Sequence, residues 1–136
     1  MASRALSDLN PLVRFKAMQW IDACKKAGID VLIYCTYRSA QEQDELYKIG
    51  RDIPGKRVTN AKGSESLHQY RVAWDAVPLI NGKPAWSDNM LYSKMGAIAK
   101  EMGIEWAGTW KSMKETAHFQ FTNGLTLKDF QGGKPL

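Results

Sequence analysis

The sequence predicts an α+β fold in a single domain, 1–136, with a small antiparallel sheet and about three helices packed on one face of it. Three observations lead there. Val13, Ala17, Trp20 and Cys24 recur at helical spacing, so a stripe of one early helix must be buried. Asp30–Tyr37 and Val72–Val77 are short, apolar and rich in β-branched residues, as strands are. Asn81-Gly82 between such runs is a strong two-residue hairpin signal, which makes at least part of the sheet antiparallel.

Each element has a local reason. Asn10 before Pro11 is a good N-cap with proline in the first turn, Lys25 and Lys26 suit the last turn, and Gly28 stops the helix. The strand from Asp30 delivers Arg38 at its C-terminal end. Ser39 and Glu42 then form a capping box for a second helix through about Ile49, with Gly50 as its stop. From Arg51 to Ser66 the chain reads as a loop with Pro54, Gly55 and Gly63, a length that is usually functional or mobile. It would line a cleft and meet anionic groups, or simply be solvated. Ser87 is expected to cap a third helix in which Leu91, Met95, Ile98 and Met102 face the core, with Gly103 ending it. Ile104–Ala107 and His118–Phe121 read as the last strands. The tail from Thr122 to Leu136 is weakly patterned.

Composition narrows the class. A hydrophobic fraction of 44% and a charged fraction of 24% are those of an ordinary globular protein able to bury a core. No run of eighteen apolar residues is present, which argues against membrane insertion, and a basic-then-apolar leader is lacking. The expected location is therefore the cytoplasm. Cys24 and Cys35 do not make a disulfide framework and read as buried thiols outside any metal-ligand pair. The net charge of +5 would suit nucleic acid, but the basic residues are scattered and carry no nucleic-acid-binding motif. An anionic cell wall is an equally good partner, and solubility alone is the plain alternative.

The chemistry concentrates in Ser66–Asp75, S-L-H-Q-Y-R-V-A-W-D. It holds His68, one of only two histidines, with Asp75 seven positions on. The second histidine, His118, follows Glu115 by three. Two imidazoles and a carboxylate are the three protein ligands of an open zinc site, and a glutamate that is not a ligand is a natural proton shuttle. That combination points to a zinc hydrolase. On one straight strand His68 and Asp75 would face opposite ways, so the chain must turn or bulge around Gln69-Tyr70-Arg71. Asp75 in an apolar run needs a partner. A metal would serve, and so would an ion pair to Arg38 or Arg71. Arg38, at a strand-to-helix junction, could equally pair with Glu42 or Asp44.

The same stretch resembles the S-x-H-x-x-G-x-A-x-D signature of the D-alanyl-D-alanine carboxypeptidase and dipeptidase group, which includes the L-alanyl-D-glutamate peptidases used by phages as endolysins. Glu115-Thr116-Ala117-His118-Phe119 resembles the second half of its zinc pattern. Tyr37-Arg38-Ser39 with Gln43, Leu46-Tyr47 and Gly50-Arg51 resembles its arginine-bearing strand and following helix. Val58-Thr59-Asn60-Ala61-Lys62-Gly63 resembles the lead-in to the first histidine, and Gly103–Trp110 resembles the segment before the last. Arg71 stands where the group has glycine, so it must either make the turn without that freedom or project into the cleft. Ala107 and Thr109 also depart from the usual glycine and aspartate.

The resemblance implies the same α+β fold, with the sheet carrying the zinc site. It implies Zn2+ held by His68, Asp75 and His118, with Glu115 as general base and Arg38 beside the oxyanion. Ser66 and Arg71 would contact substrate or support the ligands. The implied substrate is the L-alanyl-D-glutamate bond of peptidoglycan stem peptides, cut by a monomeric enzyme held in the host cytoplasm until phage lysis, an antimicrobial activity. D-alanyl-D-alanine carboxypeptidase or dipeptidase action is the alternative within enzymes. A metal-stabilised wall-binding module without catalysis, or a small nucleic-acid-binding protein, are alternatives from other classes.

Overall fold

The structure is a computed structural model that describes residues 2–59, 61–110 and 115–136. Asn60, part of the lead-in motif, lies outside the described residues.

Helix α1 spans Pro11–Lys26, and the Asn10 side chain accepts from the Leu12 N–H at its start. Val13, Ala17, Trp20 and Cys24 are its buried residues, the four read from spacing. Strand β1 is Asp30–Cys35 and helix α2 is Ala40–Lys48, opened by the Ser39–Glu42 capping box. Strand β2 (Ala73–Ile80) and the short β3 (Lys83–Pro84) form a hairpin whose loop residues Asn81 and Gly82 have φ of 52° and 75°. Two positive φ values in a two-residue loop are those of a type I′ turn, which glycine adopts without strain.

Helix α3 is Asn89–Glu101, and two expectations shift here. Asp88, not Ser87, is the cap, accepting from the Leu91 N–H. The buried line is Tyr92, Met95, Gly96 and Ala99, while Leu91, Ile98 and Met102 flank it half-buried. Tyrosine, polar only at its tip, was the side chain that turned the helix. After strands β4 (Glu105–Trp106) and β5 (His118–Gln120) the tail forms a fourth helix, α4 (Leu127–Gln131). Its capping box joins Thr126 and Asp129, and it buries Phe130.

The sheet runs β1-β2-β5-β4, antiparallel at every pairing, with β3 on the end of β2. Side chains alternate across it. Trp74 pairs with Phe119, and both are buried against Trp20 of α1, whose ring centroid lies 4.4 Å from Phe119 and 5.9 Å from Trp74. The Trp20 indole N–H donates to the Met95 carbonyl at 3.0 Å, tying α1 to α3. Trp106 packs against both Gly96 of α3 and Gly108, and a Cβ on either glycine would collide with its ring. The opposite face carries Asp75, directly across from His118 on β5 and from Cys35 on β1.

Candidate metal centre

The problem of reaching one point from His68 and Asp75 is solved by a tight turn. Leu67–Tyr70 is a 3-10 turn, capped by Ser66, and Arg71 then adopts φ 63° before β2 begins. Arg71 therefore takes the left-handed conformation itself, at some cost for a residue with a side chain. Its guanidinium donates to the Asp8 carbonyl at 2.8 Å and covers the Tyr37 ring at 4.0 Å. Of the two expected courses for Arg71, making the turn itself or projecting into the cleft, the backbone takes the first, and the guanidinium braces that turn. Ser66 is in the cleft wall, and its hydroxyl accepts from the His68 N–H at 3.3 Å.

Asp75 Oδ1 lies 3.2 Å from His68 Nε2 and 3.3 Å from His118 Nδ1. Both histidines are buried. The other nitrogen of each ring is already engaged. His68 Nδ1 is 2.8 Å from the Thr36 carbonyl, which can only accept, so the proton sits there and Nε2 is bare. His118 Nε2 is 2.9 Å from Gln120 Oε1, which leaves its Nδ1 bare. Two bare nitrogens around an ionised oxygen require protons or a cation between them. Tetrahedral ligands at roughly 2.0–2.1 Å from an ion stand roughly 3.3–3.4 Å apart, and nitrogen and carboxylate donors are those zinc takes. The separations from Asp75 to the two histidines match that spacing, and the donor types are those such an ion takes.

The electrostatics of these side chains agrees. Burial opposes charge on His68, yet the neighbouring Asp75 carboxylate outweighs it and pushes the imidazole up to about 10. Burial likewise opposes ionisation of Asp75, and the two imidazoles hold its carboxyl well below the usual range. The site thus attracts positive charge.

Cys35, expected to stand apart, joins the periphery. Its sulfur lies 3.7 Å from His68 Nδ1, and Cys35, His68 and Asp75 offer ligand atoms within 4.8 Å of one another. That nitrogen already donates to Thr36, and the thiol accepts from Arg38 Nη2 at 3.2 Å. His118, 3.3 Å from Asp75, stands outside that group of three and shares its Asp75 oxygen with His68.

Arg38 is held by Gln43, which accepts from Nη1 at 2.7 Å, and its Nη2 lies 3.7 Å from Asp75 Oδ2. Of its other expected partners, Glu42 closes the helix cap and Asp44 accepts from the Gly63 N–H. Gln43, buried, also donates to the Ala61 carbonyl at 2.7 Å, so one side chain joins Arg38 to the loop before the first histidine. Glu115 Oε2 is 3.9 Å from His118 Nδ1 and half exposed. Trp110 stands 5.8 Å, ring to ring, from His118. Arg38, His68, Asp75, Trp110, Glu115 and His118 all line one cleft of about 970 Å³.

The family model described as D-alanyl-D-alanine carboxypeptidase matches residues 59–121, which include His68, Asp75, Glu115 and His118. The peptidoglycan L-alanyl-D-glutamate endopeptidase CwlK of Bacillus subtilis (strain 168) is 40% identical over 123 residues, 84% of this chain and 74% of its own length. The chain belongs to the D-alanyl-D-alanine carboxypeptidase family. The L-alanyl-D-glutamate peptidase of Listeria phage A118 is 28% identical over 127 residues, 88% of this chain; the match spans only 41% of the phage protein. The fold is shared with the Serratia marcescens L-Ala D-Glu endopeptidase ChiX, at TM-score 0.66 and 21% identity, over 96% of this chain and 92% of that one. It is shared too with the vancomycin resistance D,D-pentapeptidase VanY, crystallised with Zn(II), at TM-score 0.65 and 14% identity over 91% and 78%.

For a member of the D-alanyl-D-alanine carboxypeptidase family, the supporting side chains are where sequence reasoning fell short. In the sequence Gln43 stands out only as part of a motif, and Gln120 carries no signal of its own. A period-2 argument could have found Gln120, two residues beyond His118 and so on the same strand face. Glu105 needed the pairing of β4 with β5, which spacing does not give.

Proposed function

We propose that residues 1–136 form a single peptidase domain: a zinc-dependent peptidoglycan endopeptidase that hydrolyses the L-alanyl-D-glutamate bond of stem peptides. The observation that carries this reading is the convergence of His68, Asp75 and His118 in a cleft with Glu115, in a chain 40% identical to an enzyme of that activity.

His68, Asp75 and His118 would hold zinc, which would supply a Lewis acid and lower the pKa of a water to roughly 7. Glu115 takes the proton of the attacking water and returns it to the leaving amine. Its carboxylate, free of the ligand set yet 3.9 Å from His118, supports that role. Arg38 steadies the negative charge that develops on the carbonyl oxygen, a contribution of roughly 3 kcal/mol for one well-placed donor. Its anchoring by Gln43 supports this, because an arm already fixed loses little freedom when substrate arrives. Ser66 holds the turn that carries His68.

The protein acts as a monomer on the wall. A part in phage lysis, with the enzyme waiting in the host cytoplasm, extends the reading and rests on the phage relative. Among the described residues no helix is long and apolar enough to cross a membrane. Digestion of purified peptidoglycan with and without a chelator tests the proposal. New N-terminal D-glutamate that disappears with chelation is expected. Released D-alanine would move the activity to the carboxypeptidase, and digestion indifferent to chelation would end the zinc reading.

A further inference from the structure

A line of polar side chains continues outward from His118 along the cleft face of the sheet. Gln120 Oε1 is 2.9 Å from His118 Nε2, Gln120 Nε2 donates to Glu105 Oε2 at 2.9 Å, and Glu105 Oε1 accepts from the Thr122 hydroxyl at 2.8 Å. His118, Gln120 and Thr122 are buried. The sheet enforces the contact, since Glu105 and Gln120 are register partners on β4 and β5.

An amide can face either way round, and a neutral imidazole can carry its proton on either nitrogen. The carboxylate removes both freedoms. Ionised Glu105 accepts only, so it must face the amide NH2 of Gln120. The amide oxygen then faces His118 and must be given a proton, which places that proton on Nε2. Nδ1, the nitrogen 3.3 Å from Asp75, is left with its lone pair. We infer that Glu105 and Gln120 are positioning residues that fix which nitrogen of His118 binds the metal. The inference rests on His118 being a ligand, as proposed above, and adds two residues outside that set. Both also line the cleft, so zinc affinity, and not hydrolysis, is the readout that isolates their effect on His118.

The arrangement makes a charge-order prediction that a merely structural role does not. Gln120→Leu, which removes the acceptor for Nε2–H, should weaken zinc affinity about 10- to 100-fold. Gln120→Glu alone puts two carboxylates together and should weaken it by a similar factor. Combining Glu105→Gln with Gln120→Glu reverses the polarity of the outer bond while still offering His118 an acceptor, so affinity should return to within about threefold of the parent. Zinc affinity is read by competition with a chromophoric chelator. Nitrogen-15 spectra of the zinc-loaded protein should show the His118 proton on Nε2 in the parent and the double variant.

Parent-like affinity in Gln120→Leu, while His118→Ala loses zinc, would overturn the inference and leave the metal site standing. Parent-like affinity in His118→Ala would overturn the metal site itself. Should Gln120→Leu fail to fold, the swap decides: no recovery in the double variant over Gln120→Glu alone overturns the inference.

Discussion

Strands β2 and β5 present two unlike faces built from alternate residues of the same few positions. On one, Trp74 and Phe119 stack with ring planes 12° apart and close against Trp20. On the other, Asp75 and His118 stand opposite each other, with His68 brought in from the turn. The first face is satisfied by its own packing. The second gathers charge and bare nitrogens and is completed only by a proton or a cation. One backbone thus makes the rigid support and the unfinished site, and the rigidity of the first is what lets the second persist.

The largest effect that would break this contrast lies on the packed face. Phe119→Ala should cost about 3–5 kcal/mol of folding free energy, read from denaturant midpoints, because the ring fills space between two tryptophans. Catalysis should fall with the folded fraction and no further. Glu115→Gln is the mirror experiment: stability and zinc content should be unchanged, while kcat falls about 10²- to 10⁴-fold. Retained wall clearing by that variant would remove Glu115 from the base role.

A smaller effect concerns pH. His68, raised by Asp75, supports the metal-free fold fully below its ordinary value of 6.5 and loses that support as pH rises toward about 10. Asp75, held low, supports the fold above its ordinary 3.8 and loses that support as pH falls. The chelated protein should therefore melt highest between about pH 4 and 6.5 and lower toward pH 9. Zinc should stabilise the protein more at pH 8 than at pH 5.5, since proton-free ligands are needed to hold it. A metal-free melting temperature that climbs from pH 6 to 9 would contradict the assignment.

The smallest test is at the periphery. Thr126→Ala removes the cap of α4 and should cost about 1 kcal/mol without altering zinc affinity. Loss of zinc in that variant would mean that the two regions are less separate than they look.

The same contrast explains what the sequence disclosed. Helix α1 was legible because cap, stripe and stop agree, and α2 because Ser39 and Glu42 spell its start. Helix α4 carries the same spelling in Thr126 and Asp129 but has only five residues, too few for a periodic stripe to show. In the site, the titratable members announce themselves, since histidine and a carboxylate in an apolar run are rare. The glutamines do not. Gln43 and Gln120 look like surface residues in one dimension and prove buried in three, because their partners lie on other strands and loops. Arg71 left two courses open in one dimension, and only the three-dimensional chain shows the left-handed corner and the cation over Tyr37.

The indole of Trp106 acts as a spacer of fixed thickness. Gly96 of α3 and Gly108 both approach that ring so closely that neither position has room for a Cβ. The closeness of helix α3 to β4 at this point is therefore limited by the ring itself. A single methyl at Gly96 would have to displace the ring, and with it the 2.7 Å bond from its N–H to the Thr116 carbonyl, two residues ahead of His118.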